Sequence, residues 1–366
     1  MAVATQEAVA PPEARPSARS SRLLWLMCGL IMLWQVGGHV DAWYHTHYGF
    51  QIESFLTWPH LLLYGSWAAT LGVAGFAVLN RARRGEGTPA GYWLVLLGAV
   101  LFGLGGAFDS VWHAAFGFEV RLETLLSPAH LWLVASHGLA AFGVLIAAAD
   151  HYREAAVLGR HRTVTAVPLI VCFAVLLRML MWNLFYSDPL AVDYASGGQT
   201  MSHLGNYPAV AFATDPARVA GVTGILLHSV LLALFLVVPL RRFRLPGGTL
   251  TAILLWDAVL TVAVTDMWTY LAAVAGAAVV GEALWAWMRS GWLGGPDAER
   301  GYWILAFAVP AAQFALYFVV MAWFGGGIAW TAHLAAGTPI MAGFFGLLVA
   351  LLAVPPRFFR AGTSIA

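Results

Sequence analysis

Ten mostly apolar stretches follow one another along the chain, each close to the roughly 20 residues that carry an α-helix across a hydrocarbon core. They fall near 23–43, 58–80, 91–110, 128–149, 164–184, 219–240, 248–266, 268–288, 302–323 and 331–354, separated by short polar linkers rich in Arg, Gly or Pro. The pattern predicts an all-α, polytopic integral membrane protein with about ten transmembrane helices. The longest linker on the predicted outer side, about 185–217, contains Asp188, Asp193, His203 and Asp215 and reads as an irregular cap.

The basic residues give these helices a direction. Arg15, Arg19 and Arg22 precede the first stretch, and Arg81, Arg83 and Arg84 follow the second. Arg153, Arg160 and Arg162 follow the fourth, Arg241, Arg242 and Arg244 the sixth, Arg289 and Arg300 the eighth, and Arg357 and Arg360 the tenth. Ten crossings place all of these on one side, which the positive-inside rule makes the cytoplasm, with both termini there. Only Arg121, Arg178 and Arg218 fall elsewhere. Residues 1–22, rich in Ala, Pro, Ser and Arg, read as a disordered cytoplasmic tail. The first apolar run lacks a small-residue cleavage site, so no removable signal peptide is expected.

Composition agrees with the pattern. Hydrophobic residues make up 60% of the 366 and charged residues 10%, against about 25% charged in a typical soluble domain. The net charge of +1 gives no reason to expect nucleic-acid binding. Every basic residue is Arg and none is Lys, a bias that fits a GC-rich bacterial genome and hence a bacterial cytoplasmic membrane. Cys28 and Cys172 both sit in apolar runs and read as small buried hydrophobes.

Against this apolar background one polar pattern occurs twice. DAWYHTHYGFQIESFLTWPH runs from Asp41 to His60, and DSVWHAAFGFEVRLETLLSPAH from Asp109 to His130. With a two-residue insertion they align, pairing Asp41 with Asp109, His45 with His113, Glu53 with Glu123 and His60 with His130. Each copy starts at the outer end of an odd-numbered helix and ends as the next helix begins. Helices 1–2 and 3–4 are therefore expected to form a parallel tandem repeat. This divides the chain into a four-helix repeat domain over 23–150 and a six-helix domain over 151–366.

The spacing suggests a chemistry. Asp and His four residues apart share one face of a helix, so both can reach one cation. The later His returns on the facing helix as a third ligand. Imidazole and carboxylate suit copper, iron, zinc or manganese. Glu53 and Glu123 are further ligands or orienting acceptors. The Gly-Phe between the two halves of each copy predicts a turn carrying an apolar plug. Polar residues at a membrane surface are often only solvated or capping, but recurrence of the whole set favours metal binding. His39, His47 and His137 have no counterpart in the other copy. They mark where two sites would diverge, and His137, two turns deeper than His130, is a further candidate ligand.

In the second half Arg178, His228, Asp257 and Glu282 lie within apolar stretches. Ionisable groups there are costly unless paired. Arg178, His228 and Asp257 fall at similar depths, which predicts an Arg178–Asp257 ion pair with His228 beside it. Such a cluster serves either to lock helices together or as a proton or substrate path. Asp266 and His333, at outer helix ends, are positioned to approach the repeat from the other half.

The Asp-x3-His pair followed by a later His resembles the membrane copper-site motif of the C subunit of particulate methane and ammonia monooxygenases. The matching positions are Asp41, His45 and His60, or Asp109, His113 and His130. The likeness covers about 20 residues per copy and departs in the spacing to the last His, in the duplication and in the helix count. It implies a metal, copper first, bound by these residues. The resulting expectation is a metal-dependent membrane oxidoreductase with copper or iron at the outer membrane face, a small or lipophilic substrate and a redox partner. Zinc is possible, and haem is less suited because it needs no carboxylate at the iron. Two alternatives stay open: a membrane transporter or metal-handling protein without catalysis, and a zinc-dependent membrane hydrolase.

Overall fold

The computed structural model describes residues 18–48, 57–119, 122–159, 162–196, 216–291 and 298–356. Tail residues 1–17 and the predicted ligand Glu53 lie outside them, as do His203 and Asp215 of the longest linker. The helices are α1 (Ala18–Tyr48), α2 (Trp58–Arg83), α3 (Ala90–Phe116), the short α4 (Leu122–Leu126), α5 (Pro128–Val157), α6 (Arg162–Trp182), α7 (Pro216–Arg242), α8 (Thr249–Thr265), α9 (Leu271–Arg289), α10 (Glu299–Phe324) and α11 (Ala332–Ala353). Two 3-10 turns, Phe185–Ser187 and Trp268–Tyr270, follow α6 and α8. Among the described residues there is no β-strand, only an isolated bridge between Ser196 and Ile328.

Nine of these helices are long and apolar enough to cross a membrane, which defines a multi-pass α-helical membrane protein. The seventh predicted stretch, 248–266, forms α8, which has 17 residues and so spans about 25 Å. It is short because both of its ends are turned sharply. Gly248 before it and Asp266 after it adopt left-handed backbone, at φ 87° and 60°. It packs against α1, α6 and α9, and ten of its residues are buried, so protein rather than lipid surrounds much of it. Its first turn lacks a capping side chain of its own. Glu282 of α9 supplies one, accepting from the backbone N–H groups of Leu250 and Thr251 at 2.8 and 3.2 Å. A carboxylate at a helix N-terminus satisfies otherwise orphaned donors and opposes the helix dipole. Glu282 is thus a helix cap.

Helices in lipid gain little from hiding apolar surface, so close approach through small residues holds them together. The α3–α5 pair shows this most clearly. A Cβ added at Gly98 would lie 2.6 Å from both Ala140 N and Ser136 O, and one at Gly143 would lie 2.6 Å from Gly91 O. Across α1–α2, a Cβ at Gly37 would meet Leu63 Cα at 2.7 Å. These two antiparallel pairs carry the duplicated sequence. One continuous apolar core runs through them and into α6–α10, and includes the buried thiols of Cys28 and Cys172.

Candidate metal centres

Local sequence places each candidate ligand. Asp41 and His45 occupy the last two turns of α1, and Asp109 and His113 those of α3, each pair one helical turn apart. Gly117 then ends α3 at φ 82°, its N–H bonded to the His113 carbonyl at 2.9 Å. Left-handed backbone there favours glycine, which accounts for the Gly of the pattern. The Phe118 ring lies 4.7 Å from the His113 ring and covers one of its faces. At the start of α5, Ser127 caps the helix by accepting from the His130 backbone N–H at 3.3 Å, with Pro128 in the first turn. Thr57 and Pro59 stand before His60 at the start of α2, although the Thr57 hydroxyl makes no cap hydrogen bond. The recurring hydroxyl-x-x-His is therefore a helix start that sets an imidazole at the mouth of the bundle.

These ends converge into two groups of matched geometry. Asp41, His45 and His60 form one, and Asp109, His113 and His130 the other, with one ligand atom from each residue within 4.8 Å of the rest of its group. Asp41 Oδ1 lies 3.5 Å from His45 Nε2 and 3.2 Å from His60 Nε2. Asp109 Oδ1 lies 3.4 Å from His113 Nε2 and 3.4 Å from His130 Nε2. Four-coordinate metal bonds of about 2.0–2.1 Å would separate neighbouring ligand atoms by about 3.3 Å. Both carboxylate oxygens are buried and accept no hydrogen bond among the described residues. An orphaned buried carboxylate oxygen facing two imidazole nitrogens suits a shared cation better than a network of hydrogen bonds.

The second group also shows how its imidazoles are aimed. His130 Nδ1 lies 2.6 Å from the Thr124 carbonyl. A carbonyl only accepts, so the N–H is on Nδ1 and Nε2 presents its lone pair to the cluster. His113 Nδ1 lies 3.1 Å from Glu119 Oε2, with the Gly117 carbonyl at 3.3 Å. The Gly117 carbonyl accepts the Nδ1 N–H and fixes the tautomer, while the Glu119 carboxylate, close by without a hydrogen bond, places negative charge behind the ring, an outer arrangement familiar around bound metals. Replacing Glu119 by Ala is expected to weaken cation binding at this group about 10–100-fold and leave the first group unchanged. Competition against a chromophoric chelator measures both affinities; two unchanged affinities would deny Glu119 this role.

The other predicted ligands are placed apart from the two groups. Glu123 is exposed in the first turn of α4, and Glu119, four residues earlier, stands behind His113 instead. His137 is buried and stacks on Trp34 at 4.3 Å. His39 is buried, bonds the Gln35 carbonyl through Nδ1 at 2.8 Å and packs edge-on against Trp182. His47 Nε2 lies 2.7 Å from Asp266 Oδ2, tying the end of α1 to the end of α8. His333 is exposed at the start of α11 and joins neither group. Tyr64, one turn into α2 from His60, sets its ring 5.9 Å from that of His60.

A separate polar cluster sits inside the second half. Arg178 is fully buried, and its Nη1 donates to Asp257 Oδ1 at 3.0 Å and to the Thr261 hydroxyl. Asp188, which the pattern placed in an outer cap, turns inward after the Phe185–Ser187 turn. Its Oδ2 lies 3.4 Å from His228 Nε2 and 3.8 Å from Arg178 Nη1. Burial pushes the Asp188 carboxyl up, but His228, then Arg178 and the Leu190 N–H, outweigh it and hold it below the usual carboxylate range.

No protein-family model, no curated protein and no solved structure matches this chain.

Proposed function

We propose that the chain is a metal-dependent membrane oxidoreductase, working with iron or copper at the outer face of a bacterial cytoplasmic membrane. The observation that carries this is the donor set: two imidazoles and one carboxylate per group, no thiolate, and three protein ligands. Such a set leaves coordination positions open and is the one used by non-haem iron oxygenases. The bound metal would supply oxygen activation or electron transfer. The protein's own part is to aim Nε2 of each imidazole and hold the carboxylate between them. Aromatic side chains link the first group to the interior, from His60 to Tyr64 at 5.9 Å and on to Trp67 and Phe102 at 6.3 Å each.

The topology in this proposal has ten crossings, α8 included, with both termini cytoplasmic as the arginine distribution requires. α1–α2 and α3–α5 are taken as tandem copies, supported by the matched distances in the two groups. The half-exposed groups at one end favour a fixed site over transport, although the buried Arg178 cluster is what a transporter would also need. A zinc hydrolase uses overlapping ligand types, so the metal's redox activity distinguishes the two readings.

The test uses detergent-purified protein stripped of metal and reloaded separately with iron(II), copper(I) or zinc. With ascorbate as electron donor, dioxygen uptake is expected in the iron or copper form, not with zinc, and not in the Asp41→Asn/Asp109→Asn double variant. A chain that retains only zinc, with no uptake in any form, overturns the oxidoreductase assignment in favour of the hydrolase.

A further inference from the structure

Four ionisable side chains meet where the chain leaves α6, and none is more than 5% exposed: Arg178 of α6, Asp188 of the segment after it, His228 of α7 and Asp257 of α8. Local packing sets Asp188 against His228. A Cβ added at Gly224 would overlap the Ser187 carbonyl oxygen, so glycine there lets the Phe185–Ser187 turn seat on α7. His228 stands one turn further along that helix. Asp188 also organises its own segment. Its Oδ1 accepts from the Leu190 N–H at 2.9 Å, and its carbonyl from the Ala191 and Val192 N–H groups at 2.9 and 2.8 Å.

One nitrogen of His228 fixes what the other must be. Nδ1 lies 2.7 Å from the Gly224 carbonyl, which only accepts, so Nδ1 carries a proton. A neutral imidazole would then turn its Nε2 lone pair on Asp188 Oδ2, 3.4 Å away. Neither atom has a hydrogen-bond partner among the described residues. Two buried acceptors would face each other, and one guanidinium against two carboxylates would leave a negative charge uncompensated in the bundle. One more proton removes both faults. Placed on Asp257 it would balance the charge but leave Nε2 and Oδ2 opposed; placed on Nε2 it corrects both.

We propose that the second half of the chain holds a proton-binding site, with one proton on His228 Nε2 facing Asp188 Oδ2, and that this proton latches the segment after α6 onto α7. The groups around the pair leave this role to it. Arg178 and Asp257 bond each other. From α10, Tyr317 stacks on Tyr270, which donates to Asp193, and from α1, His39 packs on Trp182, one turn past Arg178. α11, which also packs on α7, carries only the exposed His333. The Asp188 carboxyl is held below the usual carboxylate range, so it is ionised at neutral pH and above. The latch is therefore lost as pH rises, when the imidazole gives up its proton and a lone pair is left against the carboxylate. The site is independent of the oxidoreductase reading.

The experiment uses the full chain in detergent. Nitrogen NMR of protein carrying isotope-labelled histidine reads the proton directly. Near neutral pH, one histidine with both ring nitrogens protonated is expected to vanish in His228→Gln. In Asp188→Asn the amide Nδ2 donates to Nε2, and the His228 signals should become those of a neutral imidazole with its proton on Nδ1. Hydrogen exchange reads the latch. After correction for the intrinsic rate, the amides of Leu190, Ala191 and Val192 should exchange at least tenfold faster at about pH 9 than at about pH 6. Those of Ala195 and Ser196, which donate to Asp193 Oδ1, should hold constant. Asp188→Asn and His228→Gln should each abolish the pH dependence, and either serves if the other does not fold. A neutral His228 in the wild type near neutral pH overturns the proposal, and so does exchange at Leu190–Val192 whose pH dependence survives these substitutions. None of these readouts involves a bound metal, so the outcome bears on this site alone.

Discussion

Arg178→Met is expected to lower the unfolding free energy by about 3–5 kcal/mol, the cost of removing one partner from a buried ion pair. Arg178 is wholly buried and stands between Asp257 and Asp188, the latter also paired with His228. Methionine matches its apolar stem but leaves two buried carboxylates without their shared cation. Neither carboxylate can reach water. Removing Asp257 as well, in Arg178→Met/Asp257→Leu, should recover more than half of the loss. The remaining Asp188–His228 pair still satisfies itself, and replacing a whole buried pair by apolar groups is often close to neutral. Reversible unfolding in detergent, comparing the wild-type, single and double proteins, measures both steps. A single variant within about 0.5 kcal/mol of wild type would mean that the cluster does not hold α6, α7 and α8 together. A double variant worse than the single would point to a role for Asp257 beyond neutralising Arg178.

The second large effect concerns the metals. Asp41→Asn should remove one of two bound cations and Asp109→Asn the other, each leaving its neighbour in place. In each group one carboxylate oxygen faces both imidazoles, at 3.2–3.5 Å in the first and 3.4 Å in the second. Asparagine keeps the shape but takes away the charge, the only anionic ligand in each group. Affinity should fall by a factor on the order of 10³ or more, judged against the 10–100-fold that loss of an outer-sphere partner alone produces. Elemental analysis after dialysis should give stoichiometries of two, one, one and none for wild type, each single variant and the double. If one substitution emptied both sites, the groups would form a single coupled centre.

Much of this was legible along the chain because both periodicities involved are local. Apolar runs of membrane length mark helices whatever packs beside them, and Asp-x3-His at a helix end puts two ligands on one face without further information. What escaped was whatever depended on how linkers fold. Glu119 lies next to the two-residue insertion, so alignment of the copies pointed to Glu123, which α4 then turns outward. The Thr124 carbonyl that orients His130 is backbone and has no signature in side chains at all. Asp188 looked like a surface residue because Pro189 and the polar residues around it read as a loop. The signal available was charge balance at one depth: Arg178 and His228 outnumber Asp257 there, with Glu282 placed elsewhere, so a second carboxylate had to come from a linker. The bounds of α8 were legible, since the predicted stretch 248–266 matches Thr249–Thr265 to within a residue at each end; the left-handed backbone of Asp266 that ends it was not.

The central claim is that each Asp–His–His group holds its own metal ion. It is tested most directly by anomalous diffraction from crystals of the full chain loaded with iron or copper and recorded at the metal edge. Two peaks per chain are predicted. One should lie about 2.0–2.2 Å from Asp41 Oδ1, His45 Nε2 and His60 Nε2, and the other at the same distances from Asp109 Oδ1, His113 Nε2 and His130 Nε2. Density showing both groups free of anomalous signal, with ordered waters bridging the imidazoles to the carboxylates, would contradict it.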